Sequence, residues 1–313
     1  MVTLNALYRL LWRCQRRLPK SLSRSLYKRM SRRGIAPDHT FVTDFYGVRY
    51  RGSLDNNIDF NVYYYGAFEK HVLHFLGDTI TAIAPKDGVF IDIGANVGQH
   101  SLYMQRLGRT VIAFEPWEPV RTRFERQIAA NGIANIEVQP LGLSNDNSRL
   151  PFYAPSGDNA GVGSFDASSV GKGNLPVGEL ELVRGDDFFA ARPDLKIDLV
   201  KIDVEGFEKF ALQGLQATLT KNRPVVICEL SYDTQVSFRT LAELQEVFPE
   251  HYRLFTFDTR KPDGSKARRR EGRARHTGAY RLVPFERLLP SGQDDIIACP
   301  AELLGALPMS HPR

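Results

Sequence analysis

The rhythm of hydrophobic and polar positions changes three times along this chain. In residues 1–37, Leu4, Leu7, Leu11, Cys14 and Leu18 recur at helical spacing, with Trp12 near one edge and arginines over the rest. That spacing predicts an amphipathic helix. Segment 41–65 is dense in aromatic and β-branched residues, with turn signals at Gly47 and Gly52, and predicts short antiparallel strands. From Ala67 to Leu76 the pattern turns helical, and Pro85-Lys86-Asp87-Gly88 breaks it.

Beyond that break, short apolar runs alternate with helical stretches. Val89–Ile93, Thr110–Phe114, Ile136–Pro140, Leu199–Ile202, Val225–Leu230, Tyr252–Phe257 and Asp295–Cys299 predict strands, and Gln99–Leu107, Glu118–Asn131 and Lys209–Leu219 predict helices. Apolar runs without internal alternation, such as VVIC, suit strands covered on both faces. The order predicts one α/β domain, a mostly parallel sheet with helices on both sides. Asp186 and Asp187 stand where they could cap the helix before LVKI, and the polar stretch 144–178 offers no readable element. The chain then divides into a basic arm (1–37), a β/α extension (38–78), a main α/β domain (79–302) and a tail (303–313).

Charge changes the picture mostly at the amino end. The whole chain carries a formal +5, but residues 1–37 hold ten Lys/Arg and no acid, so 5 − 10 leaves the remainder at −5. An enzyme of nucleic acids carries its positive charge on the domain that holds the substrate, so nucleic acid is not the expected partner. Arginines interrupt every apolar run of the arm, which is therefore not read as a signal peptide. No stretch approaches the roughly 20 apolar residues of a membrane span. Two readings of the arm stay open: a helix lying on an anionic membrane surface through residues 1–33, or an arm whose leucines dock on the body or a second subunit. A second basic segment, Lys261–His276, has seven Lys/Arg against two acids. It reads as a mobile insertion between the last two strands, either a solvated charge run or a contact for anionic groups. Cys14, Cys228 and Cys299 lie far apart with no metal-type spacing. This fits a reducing, cytoplasmic setting, with Cys228 and Cys299 as buried thiols.

Candidate chemistry begins where the first strand of the main domain ends. Asp92-Ile-Gly94-Ala95-Asn96-Val-Gly98 is a glycine-rich strand-to-helix turn, and Glu115 closes the second strand 23 residues after Asp92. An acid there is placed to hydrogen-bond ribose hydroxyls, and the glycines let backbone approach a ligand. Dinucleotide sites use G-x-G-x-x-G, whose helix N-terminus receives a pyrophosphate. Here Asn96 replaces the middle glycine, and the Asp92 carboxylate would repel phosphate while attracting a cation. The charge logic points to S-adenosyl-L-methionine, with its ammonium and sulfonium, rather than to NAD.

Several stretches of the chain resemble the FkbM-type methyltransferases: VFIDIGANVGQHSLYMQRLG (89–108), IAFEP (112–116), NGIANIEVQPLGLSND (131–146), LVKIDVEGFEKFALQG (199–214), VVICEL (225–230) and IIACP (296–300). The resemblance covers roughly residues 60–300 and implies a Rossmann-like fold. Its sheet would be seven-stranded and mostly parallel with an antiparallel final strand, standing beside the small N-terminal β/α extension and the basic helical arm read from the residues themselves. It also implies S-adenosylmethionine as cofactor and O-methylation as the commonest chemistry. Carried over residue by residue, Asp92, Gly94, Asn96 and Gly98 surround the methionine part of the cofactor, Glu115 holds the ribose, and Ala95 and Pro116 also count among the cofactor-binding residues. Ser144 and Asn145 border the adenine. Tyr65-Gly66-Ala67-Phe68-Glu69 resembles the family's lead-in motif, which brings Glu69 toward the same pocket.

Methyl transfer to a hydroxyl needs an in-line geometry and a proton acceptor. Asp203 and Glu205 follow the apolar strand LVKI and should emerge at the rim beside Asp92, with Glu229 ending the next strand. One of these acids could be the general base. Alternatively, two or three could bind a divalent metal that acidifies the alcohol, a possible but not favoured arrangement, or Asp203 could serve only the cofactor's ammonium. His100 could be a base or a packed imidazole, and His71 and His74 read as structural. The expected activity is methylation of a hydroxyl on a small molecule, glycan or glycolipid, by a cytoplasmic enzyme that can sit on the inner membrane surface. An RNA methyltransferase and a non-catalytic adaptor retaining the fold are the alternatives.

Overall fold

A computed structural model of the chain describes residues 2–155, 163–165, 167–232, 236–259 and 280–309. The basic segment Lys261–His276 lies outside the described residues. The arm forms two helices, α1 (Val2–Arg13) and α2 (Lys20–Ser31). Trp12 is buried against Tyr27 and His39, and Leu26, Tyr27 and Met30 are buried as well. One side of the arm therefore docks on the body.

The extension begins as predicted, with an antiparallel pair, β1 (Thr40–Phe45) and β2 (Val48–Ser53). The expected strand over the rest of 41–65 is instead a helix, α3 (Asn57–Tyr65). Capping overrides the β-forming aromatics: the Asn56 side chain accepts from the Asp59 amide at 3.1 Å, and Gly66 ends the helix in the left-handed conformation. Asp59 is then fully buried. It accepts from Tyr50 Oη at 2.5 Å and from the Ser53 amide at 2.7 Å, and pairs with Arg123. Replacing it with Ala strands three donors at once. Asp59→Ala should cost about 2–4 kcal/mol, the order seen when one partner of a buried ion pair is removed, read as a lower midpoint in urea without a change in slope.

After α4 (Lys70–Ile83), the chain enters the main sheet. Its first part is β3 (Val89–Ile93), α5 (Gln99–Gln105), β4 (Thr110–Phe114), α6 (Glu118–Asn131) and β5 (Ile136–Gln139). The polar stretch that follows hides a small separate sheet, ordered β6 (Gly142–Ser144), β8 (Leu175–Arg184), β7 (Ser148–Ala154). Then come α7 (Gly185–Ala190), β9 (Leu199–Ile202), α8 (Glu208–Gln213), α9 (Gln216–Asn222), β10 (Val225–Ser231), α10 (Leu241–Glu246), β11 (Tyr252–Phe257), β12 (Leu282–Pro284) and β13 (Gln293–Pro300). The single helix predicted over Lys209–Leu219 is thus two. A Cβ on Gly214 would lie 1.8 Å from the Ser144 carbonyl oxygen, so the chain turns where it passes that strand. Asp186 caps the second of these helices rather than its own, accepting from the Ala217 and Thr218 amides at 3.1 and 2.8 Å.

The main sheet runs β12-β11-β13-β10-β9-β3-β4-β5. Seven of these strands are the predicted ones; β12, three residues at the edge, is an eighth, too short to leave a periodic pattern. The strands from β10 to β5 are parallel, and β13 is antiparallel to both β10 and β11. From β3 the chain builds outward through β4 and β5, then returns to place β9 on the other side. The order therefore reverses between β3 and β9, where open α/β sheets bind their ligands. Side chains alternate between two buried faces. Phe90, Leu199 and Ile227 pack under the arm, extension and α5, while Ile91, Val200 and Cys228 pack under α8 and α9.

Candidate functional site

Alternation along the strands puts four charged residues on one face at the reversal point. Asp92 follows Phe90 by two, Lys201 and Asp203 follow Leu199 by two and four, and Glu229 follows Ile227 by two. All stand on the face covered by α4 and α5. The turn from β3 into α5 is held tightly there. Gly94 and Ala95 both donate to the Phe114 carbonyl at 3.0 Å, and the Asn96 amide donates to Glu115 Oε2 at 2.8 Å. Glu115 Oε1 accepts from the Trp117 amide at 2.9 Å, while Arg121 donates to the Pro116 carbonyl at 2.9 Å. Gly94, Asn96 and Gly98 all have positive φ. At Gly94 a Cβ would meet the Asp203 carbonyl oxygen at 1.9 Å, and at Gly98 the Phe124 ring at 2.0 Å. Only glycine fits either place.

Asp92 is wholly buried. Its Oδ2 accepts from Ser101 Oγ at 2.6 Å, and its Oδ1 has no protein partner. Burial raises its pKa against the pull of Lys201 and Ser101. Burial likewise pushes Glu115 up to about 7. An orphaned buried carboxylate oxygen beside a glycine cradle suits a ligand that brings positive charge, and Glu115 is fixed where it can meet hydroxyls.

The second cluster lies across the reversal point. One carboxylate oxygen from each of Glu69, Asp203 and Glu229 lies within 4.8 Å of the other two. Glu69 arrives because Gln99 clamps the lead-in motif, accepting from the Phe68 amide at 2.6 Å and donating to its carbonyl at 3.1 Å. Glu69 itself has a left-handed backbone, φ +44, at the start of α4, a strained conformation of the kind found at functional sites. Glu229 is held well above the ordinary carboxylate range, by burial first and then by Asp203 and Glu69. Lys201, which sequence reasoning left within its strand, is 4% exposed and reaches Asp203 Oδ2 at 3.0 Å. Burial would lower its pKa, but Asp203, Asp92 and Glu69 outweigh burial and raise it. An ammonium thus stands among the acids.

The remaining expected residues take other places. Glu205 is half-buried with φ +51, and its carbonyl accepts from Ser164 Oγ at 3.2 Å; its charge helps raise Glu229, but Glu69 takes its place in the close trio. Ser144 and Asn145 bond to each other at 3.2 Å, and Asn145 donates to Gln213 at 3.4 Å, on a strand whose Gly142 packs beside Pro116. His100 is buried, its Nε2 without a protein partner, and burial drives its pKa well down. His74 sits between Tyr46 and Tyr103 at 3.2 Å from each hydroxyl, and His71 faces Asp295 at 3.6 Å. Glu208, unassigned from the sequence, holds the 203–206 turn through the Gly206 amide at 2.8 Å, and burial lifts it to about 7.

With its pKa raised, each of Glu115 and Glu208 binds a proton in the fold that the unfolded chain has already released. Their stabilising contribution is complete below the unfolded value of 4.5 and is lost as pH rises through about 7. Thermal stability of the unliganded protein should fall across that window, by on the order of 3 kcal/mol per group. Calorimetry on Glu208→Gln should show a shallower fall.

The Methyltransferase FkbM domain profile matches residues 92–257, more than half of the chain. The chain belongs to this family. It is an S-adenosylmethionine-dependent methyltransferase with the Rossmann-like fold of that class. Among relatives, Methyltransferase 1 of Beauveria bassiana is 29% identical over 182 residues, covering 52% of this chain and 72% of that protein. The AMB antimetabolite synthetase AmbE of Pseudomonas aeruginosa is 32% identical over 180 residues, covering 46% of this chain and 8% of AmbE. The solved structure of the FkbM methyltransferase from Methylobacillus flagellatus KT aligns with a TM-score of 0.37 at 17% identity, covering 54% of this chain and 39% of that one.

Proposed function

We propose that this FkbM-family enzyme methylates a hydroxyl of a small molecule, glycan or glycolipid, and that the trio Glu69, Asp203 and Glu229 forms the acceptor side of its site, with Glu205 beside it. The observation that carries this is the meeting of three carboxylates within 4.8 Å on the same sheet face as the Asp92 turn. In the same reading, Asp92, Gly94, Ala95, Asn96 and Gly98 hold the methionine part of the cofactor, Glu115 and Pro116 the ribose, and Ser144 with Asn145 the adenine. S-adenosylmethionine supplies an activated methyl carbon. The chain's part is to keep the acceptor in line with it and to take the hydroxyl proton on a carboxylate oxygen. Among the described residues no helix is long and apolar enough to cross a membrane. We place the enzyme in the cytoplasm, peripheral on the inner membrane surface through residues 1–33.

The test is transfer of a labelled methyl from S-adenosylmethionine into cell material separated into small-molecule, lipid, glycan, RNA and protein fractions. Label is expected in the small-molecule, lipid or glycan fraction, stable to mild base as an ether is. Label confined to RNA would overturn the acceptor class. The same assay in EDTA should proceed at an unchanged rate; loss of activity restored by magnesium would give the acids to a metal instead.

A further inference from the structure

One side of the arm is docked on the body, and its other side presents an exposed apolar and cationic surface. On α1, Trp12 packs inward and Asn5 and Tyr8 are partly covered, whereas Leu4, Leu7, Leu10 and Leu11 are 39, 49, 58 and 42% exposed. Leu4, Leu7 and Leu11 follow at steps of three and four, one stripe along the helix, with Leu10 at its edge. Arg9, Arg13 and Arg17 remain exposed around that stripe, as do Arg29, Arg32 and Arg33 at the end of α2 and beyond, and the arm has no acid. An apolar stripe among cations, on an arm with no acid of its own, complements an anionic bilayer's interface, acyl chains below and phosphate above.

The inward side is anchored at several points. Lys20 Nζ donates to the Tyr63 carbonyl at 3.1 Å, Ser23 and Tyr64 share a hydrogen bond of 3.2 Å, and Arg24 donates to Tyr65 Oη at 2.8 Å. Tyr65 opens the lead-in motif that ends at Glu69. The arm is therefore no loose tether; it is fixed to the segment that delivers a carboxylate to the site.

We infer that α1 is an interfacial helix that inserts its leucine stripe into an anionic bilayer while its Trp12 side stays docked. The enzyme is then seated on the bilayer at a fixed height, because the inserted helix is held to the body. This rests on the peripheral position proposed for residues 1–33, and adds which residues enter the bilayer and that the docked side does not open. A tethered arm held by charge alone would behave differently on both counts.

The experiment is co-sedimentation of the full chain with vesicles of phosphatidylcholine containing about 30 mol% phosphatidylglycerol, against vesicles of phosphatidylcholine alone. Wild type should bind the anionic vesicles and not the neutral ones. The substitutions fall on exposed positions, so Leu7→Glu/Leu11→Glu should keep S-adenosylmethionine binding yet lose at least about tenfold in vesicle affinity. Emission from Trp12, read in a Trp117→Phe background, should not shift on binding. Vesicle binding that survives Leu7→Glu/Leu11→Glu would overturn insertion and leave the peripheral position standing. No binding of any vesicle would overturn both. A mass doubled in light scattering and restored to one chain by the same substitutions would assign the stripe to a second copy instead.

Discussion

Gly94→Ala is expected to weaken S-adenosylmethionine binding at least about a hundredfold, while Gly108→Ala leaves it within twofold of wild type. Both glycines have positive φ, +82 and +73, so each alanine carries a similar left-handed strain of about 1–2 kcal/mol. Their surroundings differ. Nothing lies within 4 Å of a Cβ at Gly108, whereas at Gly94 it would meet the Asp203 carbonyl oxygen at 1.9 Å and the Val204 side chain at 3.1 Å. Neither backbone can retreat cheaply. Gly94 is bonded to the Phe114 carbonyl at 3.0 Å, and the Asp203 amide to the Ile93 carbonyl at 3.0 Å. The extra carbon must therefore part β3 from β9 at the sheet's reversal point, moving the Asp92 turn and the Asp203 cluster away from each other. Isothermal calorimetry with the two variants separates strain from geometry. Unchanged affinity in Gly94→Ala would mean that the turn does not cradle the cofactor.

How much of this site could be read in the sequence follows from which distances the chain itself enforces. Asp92, Lys201, Asp203 and Glu229 share a face because strand side chains alternate with a period of two, and counting from Phe90, Leu199 and Ile227 suffices to see it. The same counting would have exposed Lys201. A lysine inside a run as apolar as LVKI demands a buried partner, and its partner stands two residues on. Glu69 is another matter. Its arrival depends on the Gln99 clamp on Phe68, 31 residues away, and only the resemblance of its motif pointed there. The failures have the same root. Asn57–Tyr65 is rich in β-formers, yet the Asn56 cap and the burial of Asp59 against Tyr50 and Arg123 decide for helix. Gly142–Ser144 and Ser148–Ala154 find their partner, Leu175–Arg184, across a polar stretch. Periodicity inside a short segment cannot show that pairing.

The acid trio yields the other large effect. Glu229→Gln should lower turnover at saturating cofactor by about 10²–10⁴-fold, the range expected when a general base is removed, with little change in cofactor affinity. Glu229 suits that role because burial and the neighbouring carboxylates of Asp203 and Glu69 hold its pKa well above the ordinary value of 4.5. A base of raised pKa takes a proton more readily once ionised. The rate should accordingly climb as pH passes through that raised value, and Glu229→Gln should abolish the climb. Asp203→Asn is expected to differ in kind. It takes the carboxylate from Lys201, which is 4% exposed and bonded to it at 3.0 Å, so activity falls together with stability, by about 3 kcal/mol for an ammonium left buried without its partner. If the two acids act as one unit, Asp203→Asn/Glu229→Gln will be no slower than the slower single variant. Additive losses would mean independent roles, and a Glu229→Gln enzyme that turns over at the wild-type rate would place the base elsewhere.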